Sequence, residues 1–210
     1  MIIYRYLIFL LGLFSLALGV CCLINAGLGT ATWDVLHIGL ALHTPLSIGA
    51  WIQILGFAMI VVTCLLEKSL PKIGTLLNTF IVGFFIDLIL QMQIVPTFNS
   101  LFQNILLFLV GIVLMGNGSG MYVATNIGAG PRDGLTLVLA KKLNRSIRLV
   151  RTVLEGTALL IGALIGGPVA WGTFASVFMI GPILQAALSF WRKQLEKLEK
   201  KQIVSKKAAS

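Results

Sequence analysis

The chain has 210 residues, of which 58% are hydrophobic and only 11% are charged. A soluble domain of this length needs many more polar residues to cover its surface, so the composition excludes a soluble globular protein. The net charge of +9 does not indicate a nucleic-acid partner, because the basic residues cluster at the ends of apolar segments, where they set the topology of membrane proteins.

Six apolar segments come close to the roughly 20 residues that a helix needs to cross about 30 Å of hydrocarbon. In chain order they are residues 5–25, 48–66, 73–92, 102–123, 152–170 and 172–190. Continuous apolar runs predict helices, since the strands of a membrane barrel would alternate. The first segment shows no cleavage site followed by a soluble domain, so we predict a span and not a signal peptide. Asn78, inside the third segment, is expected to hydrogen-bond a neighbouring helix.

The distribution of Lys and Arg predicts the orientation of these spans. Basic residues precede the first span, flank the loop between the second and third, crowd the stretch after the fourth and fill the C-terminal tail. By contrast, residues 26–47, 93–101 and 166–171 contain none. With six spans, every basic segment falls on one side of the membrane. The positive-inside rule therefore predicts that both termini are cytoplasmic.

The chain repeats itself with an offset of about 100 residues. The matches include Gly12 with Gly111, Gly19 with Gly118, residues 25–29 with 126–130, residues 32–34 with 131–133, and residues 74–75 with 172–173. Each half would hold three spans, an odd number, so the second half is predicted to enter the membrane upside down. The predicted fold is all-α, with six transmembrane helices in two inverted three-helix repeats. Residues 1–93 form the first repeat, residues 94–190 the second, and residues 191–210 a basic cytoplasmic tail.

Each half also holds a short segment, residues 30–43 and 131–143, that is too short and too polar to be one of the six spans. Glycines before each segment can supply a sharp turn with positive φ. We therefore predict a short Gly-initiated helix in each half, re-entrant or interfacial, with a spanning segment as the remaining alternative. Paired Gly-interrupted short segments of this kind indicate a transport site.

The candidate substrate-binding residues lie in and beside these short segments. They are Gly27, Gly29, Thr32, Asp34, Gly128, Gly130, Arg132, Asp133 and Glu155. Asp34 and Asp133 either bind a cation or a proton, or orient Arg132, near the interface of the repeats, or they only stabilise two helix N-termini at the membrane surface. Arg132 either binds an anionic group or anchors the cytoplasmic side. Glu155 either pairs with Arg151, one helical turn before it, or is a buried acid that serves proton coupling.

The sequence shows no pattern of an enzyme, a cofactor site or a metal site. Cys21, Cys22 and Cys64 lie in apolar segments without metal-ligand spacing and are expected to be packing residues. His37 and His43 lack a carboxylate–histidine cluster around them. We expect no catalytic residue, no metal and no cofactor. The expected partners are the lipid bilayer and a small-molecule or ion substrate, with a homo-oligomer left open.

These motifs resemble the YczE/YitT family of bacterial integral membrane proteins, most closely its YczE branch. The resembling residues include 33–35, 71–75, 85–87, 113–116, 126–133 and 166–168, and the resemblance covers nearly all of residues 5–190. Thr32 departs from the family pattern, which has proline there. The resemblance implies a multi-pass protein of the bacterial inner membrane, and it implies no settled substrate or reaction.

Two functions are compatible with these features. The first is a small secondary transporter or channel for a small anion or organic solute, with its site where the two short helices approach the membrane midplane. The second is a non-transporting scaffold or accessory protein, whose basic tail docks a cytoplasmic partner.

Overall fold

Eight helices account for most of residues 2–208, the part of the chain that the computed structural model describes; side chains are described for residues 2–199. The helices are α1 (Ile2–Ala26), α2 (Thr32–Leu42), α3 (Ile48–Glu67), α4 (Ile73–Gln91), α5 (Leu101–Ala124), α6 (Pro131–Lys142), α7 (Ile147–Leu164) and α8 (Trp171–Ala208). No strand occurs among these described residues. The predicted all-α class is therefore confirmed.

Five of the helices are long and apolar enough to cross a membrane, namely α1, α3, α4, α5 and α8. Large apolar side chains such as Phe57, Phe84 and Phe178 are about half or more exposed on the outside of the bundle. A soluble protein rarely exposes a contiguous surface of this kind, whereas a bilayer solvates it. This is the architecture of a multi-pass integral membrane protein.

Helix α7 departs from the fifth predicted span, residues 152–170. It begins at Ile147, where the Ser146 hydroxyl accepts a hydrogen bond from the backbone N–H of Leu149 at 3.2 Å. It ends at Leu164, before Gly166 with a φ of +80°. Its first half carries the charged side chains Arg148, Arg151 and Glu155, and this charge separates α7 from the five candidate spans.

Helices α1 and α5 cross at their glycines and run antiparallel. A Cβ built on Gly12 would lie 2.9 Å from the carbonyl oxygen of Gly118, and one built on Gly19 would lie 2.7 Å from that of Gly111. Small residues allow helices to approach this closely in membranes. Rising residue numbers in α1 meet falling numbers in α5, so the two helices point in opposite directions.

One end of the bundle, here called the basic end, collects the segments that are rich in Lys and Arg. Arg5 donates to the carbonyl oxygen of Thr125 at 3.1 Å and pairs with Glu199. A Cβ on Gly74 would clash with the backbone of Ile127. The start of α1, the α3–α4 loop, the α5–α6 loop and the Glu199 region of α8 therefore lie together.

The opposite end, here called the neutral end, collects the loops without Lys or Arg. The backbone N–H of Gly172 donates to the carbonyl oxygen of Leu28 at 2.9 Å. The His43 Nε2 atom lies 2.9 Å from the carbonyl oxygen of Ile165. The α1–α2, α2–α3 and α7–α8 loops therefore share this end, and the sequence assigns the same loops to one side of the membrane.

The two short helices begin after extended residues, Ala31 before α2 and Gly130 before α6, with no side-chain cap. At 11 and 12 residues, they extend only about 16–18 Å, which is too short to cross the bilayer. Gly27 and Gly29 have φ values of +64° and +99°, as predicted for a glycine turn.

The corresponding prediction is wrong for the second half. There Asn126 takes the left-handed conformation, with a φ of +56°, and the N-cap Gly130 has a φ of −61°. Asparagine tolerates this region because its short side chain can hydrogen-bond locally. Gly128 is required for another reason, since a Cβ there would clash with the backbone of Gly74 and Thr75.

Helix α8 continues without interruption from the membrane region into the predicted tail. Its 38 residues extend about 57 Å, nearly twice the hydrocarbon thickness. Trp191 Nε1 donates to Asn117 Oδ1 at 3.1 Å, and Leu195 is buried, so α8 remains packed on the bundle at these positions. The lysines beyond residue 199 lie outside the described side chains.

Candidate solute-binding site

A cavity of about 140 Å³, here called the central cavity, lies between the N-termini of α2 and α6. Its polar lining comprises Trp33, Asp34, His37, Asn78, Thr79, Tyr122, Arg132 and Asp133, and its apolar lining includes Leu16, Val20, Ile52, Met59, Val82, Ile86 and Met115. Six helices contribute to it. A mostly apolar cavity with a few convergent polar groups is the usual form of a small-molecule site.

The short helices approach the central cavity from opposite ends of the bundle. Helix α2 packs against the end of α7 that lies at the neutral end, where a Cβ on Gly39 would lie 2.6 Å from Ile165. Helix α6 follows the α5–α6 loop at the basic end. Because neither helix has a side-chain cap, their first backbone N–H groups and their positive dipole ends are available to a ligand.

Asp34 is the most deeply placed acidic residue of the cavity, with 8% of its surface exposed. Its Oδ2 atom has no hydrogen-bond partner among the described side chains and backbone. Its Oδ1 atom lies 3.8 Å from His37 Nδ1, which is longer than a hydrogen bond. A buried carboxylate in this state is costly unless a ligand or water satisfies it.

Three nitrogen atoms of the lining also lack a hydrogen-bond partner. Trp33 Nε1, His37 Nδ1 and Asn78 Nδ2 are buried and have no partner within residues 2–199. Asn78 was expected to bond a neighbouring helix; its side-chain amide lies within reach of the Tyr122 hydroxyl of α5, although its Nδ2 atom makes no hydrogen bond of ordinary geometry. Because buried polar groups are nearly always hydrogen-bonded in proteins, this cluster indicates a site that binds a polar ligand.

Arg132 places a positive charge at the same cavity. Its side chain lines the cavity and takes part in none of the ion pairs that occur within residues 2–199. Arginine keeps its proton in proteins, so the guanidinium is charged and able to bind an anionic group.

Asp133, in contrast, is already paired. Arg151 Nη2 donates to Asp133 Oδ1 at 3.0 Å, and Arg151 Nε lies 3.4 Å from Glu155 Oε1. This network ties α6 to α7 and favours the ion-pair interpretation of Glu155. Asp34 and Asp133, which the sequence comparison of the two halves aligns with each other, therefore lie in unlike electrostatic environments.

Replacing Arg151 by glutamine is expected to reduce thermal stability only slightly, by less than about 1 kcal/mol, because the Arg151 side chain is 45% exposed and solvent screens the pair. The measurement is thermal unfolding in detergent. Arg148→Gln, one turn away on the same helix and also exposed, is the matched control and should leave the midpoint unchanged. A loss of several kcal/mol would mean that the network is much better shielded than this geometry indicates.

Four of the predicted site residues line the central cavity: Asp34, Gly130, Arg132 and Asp133. The other five do not. Gly27 is exposed with open space around it, and Gly29 packs against Thr173 at the neutral end. Thr32 is buried beside the cavity, Gly128 contacts Gly74, and Glu155 pairs with Arg151.

Sequence reasoning did not assign Trp33, His37, Asn78 and Tyr122 to the site. His37 follows Asp34 by one helical turn, and Asn78 is a polar residue inside an apolar span, so both carried a usable signal. Tyr122 had none, since an aromatic residue at the end of a span more often marks the membrane interface. No group of His, Cys, Asp and Glu side chains that could hold a metal occurs among residues 2–199.

A second cavity, here called the side cavity, lies next to the central cavity toward the basic end. It measures about 280 Å³ and extends between α3, α6 and the α3–α4 loop. The two cavities share Gly130 and Pro131, so only the start of α6 separates them. Between α3 and α6 the packing is loose, since the nearest atom to a Cβ on Gly134 would be 3.9 Å away, on Thr63.

The corresponding interface at the neutral end is tight. A Cβ on Gly162 of α7 would lie 2.6 Å from the backbone nitrogen of Leu36, and one on Gly167 would clash with Val35. Helices α2 and α7 are therefore in backbone contact where α3 and α6 are held apart by side chains. Tight backbone contact therefore lies on the neutral-end side of the bundle, whereas a second cavity adjoins the central cavity toward the basic end.

Comparison with known proteins agrees with this architecture. The chain is 36% identical over 188 residues, 89% of its length and 86% of the relative, to the Uncharacterized membrane protein YczE of Bacillus subtilis. It is 35% identical to an Uncharacterized protein of Haemophilus influenzae, covering 87% and 82% of the two chains, and 30% identical to the Uncharacterized protein YyaS of Bacillus subtilis, covering 86% and 90%. No solved structure matches the chain. The Family of unknown function DUF6198 matches residues 3–189, so the resemblance to YczE is confirmed and the chain belongs to this family of membrane proteins.

Proposed function

We propose that the protein is a small secondary transporter of the bacterial cytoplasmic membrane and that the central cavity binds its solute, a small anion or organic molecule. One observation carries this proposal. The charged Asp34 and Arg132 side chains, on two uncapped short helices, face one cavity inside an apolar bundle, and the Asp34 Oδ2 atom is buried there without a hydrogen-bond partner among residues 2–199. Ionisable groups in such a place are costly and are retained for function.

An inverted repeat is part of the proposal. The antiparallel crossing of α1 and α5 through matching glycines supports it. The packing of the short helices also supports it, because α2 of the first half packs on α7 of the second half, and α6 of the second half packs on α3 of the first. Two oppositely oriented halves around a polar cavity are the arrangement through which many transporters open to one side at a time. In this proposal α7 is the sixth crossing helix, since it runs from the basic end to the neutral end.

The unequal packing at the two ends favours a transporter over an open channel. The α2–α7 interface is closed by backbone contacts at Gly162 and Gly167, whereas the side cavity adjoins the site from the basic end. We infer that this conformation admits solute from the basic end only. Exchange of loose and tight packing between the matching helix pairs would then move access to the other side.

The proposed orientation places the basic end and both termini in the cytoplasm. With the native cysteines replaced by alanine, Ser69→Cys in the α3–α4 loop should resist a membrane-impermeant thiol reagent in intact cells and react once the cells are opened. Thr97→Cys in the α4–α5 loop, equally exposed, should react in intact cells and serves as the matched control. Labelling of Ser69→Cys from outside would contradict the orientation and the six-span arrangement.

Solute flux tests the proposed function. Proteoliposomes that contain the purified full-length protein would be tested for counterflow of labelled solutes with up to about seven non-hydrogen atoms: carboxylates, amines, amino acids and polyols. At least one should equilibrate faster than in protein-free liposomes, and Asp34→Asn should lose at least 90% of that flux while remaining folded and inserted. Absence of flux for the whole panel, from protein that is monodisperse and correctly inserted, would contradict a transport function.

A second candidate function, a membrane scaffold, has support from α8. This helix continues well past the hydrocarbon thickness and ends at Ala208, so its last turns are placed to meet a cytoplasmic partner. Deletion of residues 200–210 distinguishes the two functions. A transporter should retain its flux after the deletion, whereas a scaffold should lose its physiological effect while Asp34→Asn leaves that effect intact.

A further inference from the structure

Among the charged side chains that line the central cavity, one negative and one positive group remain available to a ligand. Asp133 is paired with Arg151 at 3.0 Å, which leaves Asp34 on α2 and Arg132 on α6. The Asp34 Oδ2 atom is buried without a hydrogen-bond partner within residues 2–199, and Arg132 lines the same cavity without forming an ion pair in that part of the chain. The two residues belong to short helices that enter from opposite ends of the bundle.

A solute of a single charge would satisfy only one of these groups. A simple anion bound at Arg132 would be repelled by the Asp34 carboxylate and would leave that carboxylate without a partner. A simple cation bound at Asp34 would be repelled by the Arg132 guanidinium and would leave it without a partner. A solute that carries both charges would satisfy both groups without adding net charge to the interior of the membrane. The lining therefore discriminates by charge pattern and not by charge sign.

The hydrogen-bonding groups extend this pattern. Trp33 Nε1 and Asn78 Nδ2 are donors without a partner in residues 2–199, and the uncapped N-terminus of α6 adds the backbone N–H of Arg132. Donors of this kind, with the guanidinium, match the oxygens of a carboxylate. The Asp34 carboxylate, in contrast, is an acceptor suited to an ammonium group.

The size of the central cavity limits the solute. Its volume of about 140 Å³ is close to that of a cavity of roughly 150 Å³ that holds benzene, a molecule of six non-hydrogen atoms. The apolar side chains of Val82, Ile86 and Met115 can receive a short aliphatic group but not a polar one. A compact amphipathic molecule of about this size fits both conditions.

We propose that the solute is a small zwitterion, with its carboxylate bound at Arg132 and its ammonium group at Asp34. This inference rests on the proposed function, because it names the solute class of the same site. L-alanine has the required charges, six non-hydrogen atoms and one apolar methyl group. Propionate and propylammonium are matched probes that lack the ammonium and the carboxylate, respectively.

The test is binding of these three probes to the full-length protein in lipid nanodiscs, measured by equilibrium dialysis. L-alanine should bind at least ten-fold more tightly than either single-charge probe. Asp34→Asn should weaken L-alanine binding at least ten-fold and leave propionate binding unchanged or tighter, and Arg132→Gln should weaken L-alanine and propionate alike. Arg132→Lys, which keeps the charge, should recover part of the binding, and Glu196→Gln, exposed on α8 and outside both cavities, should change none of it.

The possible outcomes separate this inference from the proposed function. If propionate binds the wild-type protein as tightly as L-alanine, and Asp34→Asn changes neither affinity, the site binds a simple anion. The proposal of a zwitterionic solute is then overturned, whereas the proposed transport function is not. Tight binding of propylammonium alone would overturn it in the same way. If folded protein binds none of the probes and moves no solute of the counterflow panel, the proposed function itself is contradicted.

Discussion

Replacing Gly19 by valine is expected to destabilise the protein by about 3 kcal/mol or more, one of the largest effects of any single substitution in the bundle. The added side chain would meet the backbone nitrogen of Met115 at 2.6 Å and the carbonyl oxygen of Gly111 at 2.7 Å. Backbone atoms cannot rotate away as side chains do, so α1 and α5 would have to separate. A loss of this size lowers the unfolding midpoint by roughly 10 °C for a protein of this length.

The matched control is Gly156→Val in α7, because a Cβ there would have no heavy atom within 4 Å. Glycine is a poor helix former, so this substitution should be neutral or slightly stabilising. Thermal unfolding of both variants in the same detergent makes the comparison. Equal midpoints for the two would contradict the close crossing of α1 and α5 on which the arrangement of the two halves depends.

Replacing Gly162 by valine is expected to open the central cavity toward the neutral end. A Cβ at this position would lie 2.6 Å from the backbone nitrogen of Leu36, so a valine has to displace α2 from α7. Helix α2 carries Asp34 into the cavity, and its displacement would remove the seal on that side. The reporter is Met59→Cys, a residue of the apolar lining, in a protein whose native cysteines are replaced by alanine.

A small membrane-impermeant thiol reagent, applied to intact cells, should react with this reporter at least ten-fold faster in the Gly162→Val background. Gly134→Val is the control at the looser α3–α6 interface, where the nearest atom to a Cβ is 3.9 Å away, and it should not change the rate from this side. An unchanged rate in folded Gly162→Val protein would show that the α2–α7 contact does not seal the site.

Much of the fold follows from the sequence because the bilayer imposes simple rules. Apolar runs of sufficient length give the five candidate spans, and Gly12 and Gly19 match the glycines that α1 and α5 use at their crossing. The extent of α7 was not predictable from apolarity, since the helix extends back to Ile147 across Arg148 and Arg151. There the N-cap, and not hydropathy, decides the boundary.

Among the polar side chains of the site, only those were predictable that are charged and lie at matching positions in the two halves of the sequence. Asp34, Arg132 and Asp133 stand out because charged residues follow paired glycines at matching positions. The sequence does not show which of the two aspartates is paired with an arginine. The pairing of Asp133 depends on how α7 places Arg151 beside α6. The unequal packing of the two ends was hidden for the same reason, since it arises from contacts between elements distant in the chain.

Asn78 and Tyr122 illustrate this limit. Each lies in a long span, and only the rotation of that span about its axis decides whether its side chain faces lipid, a neighbouring helix or the cavity. That rotation follows from the packing of α4 and α5 against α1, where buried residues such as Leu13, Ile86 and Ile112 form the core. Periodicity is weak in helices that are apolar on every side, so the sequence alone does not give it.

The proposed function requires that the central cavity is a water-accessible solute site reached from the basic end. The reaction rate of Met59→Cys in the cysteine-free protein tests this most directly, measured in inside-out and right-side-out membrane vesicles with and without saturating L-alanine. We expect reaction in inside-out vesicles, at least ten-fold slower reaction in right-side-out vesicles, and protection by L-alanine. A thiol that reacts from neither side until the protein is denatured, or one that no small solute protects, would contradict it.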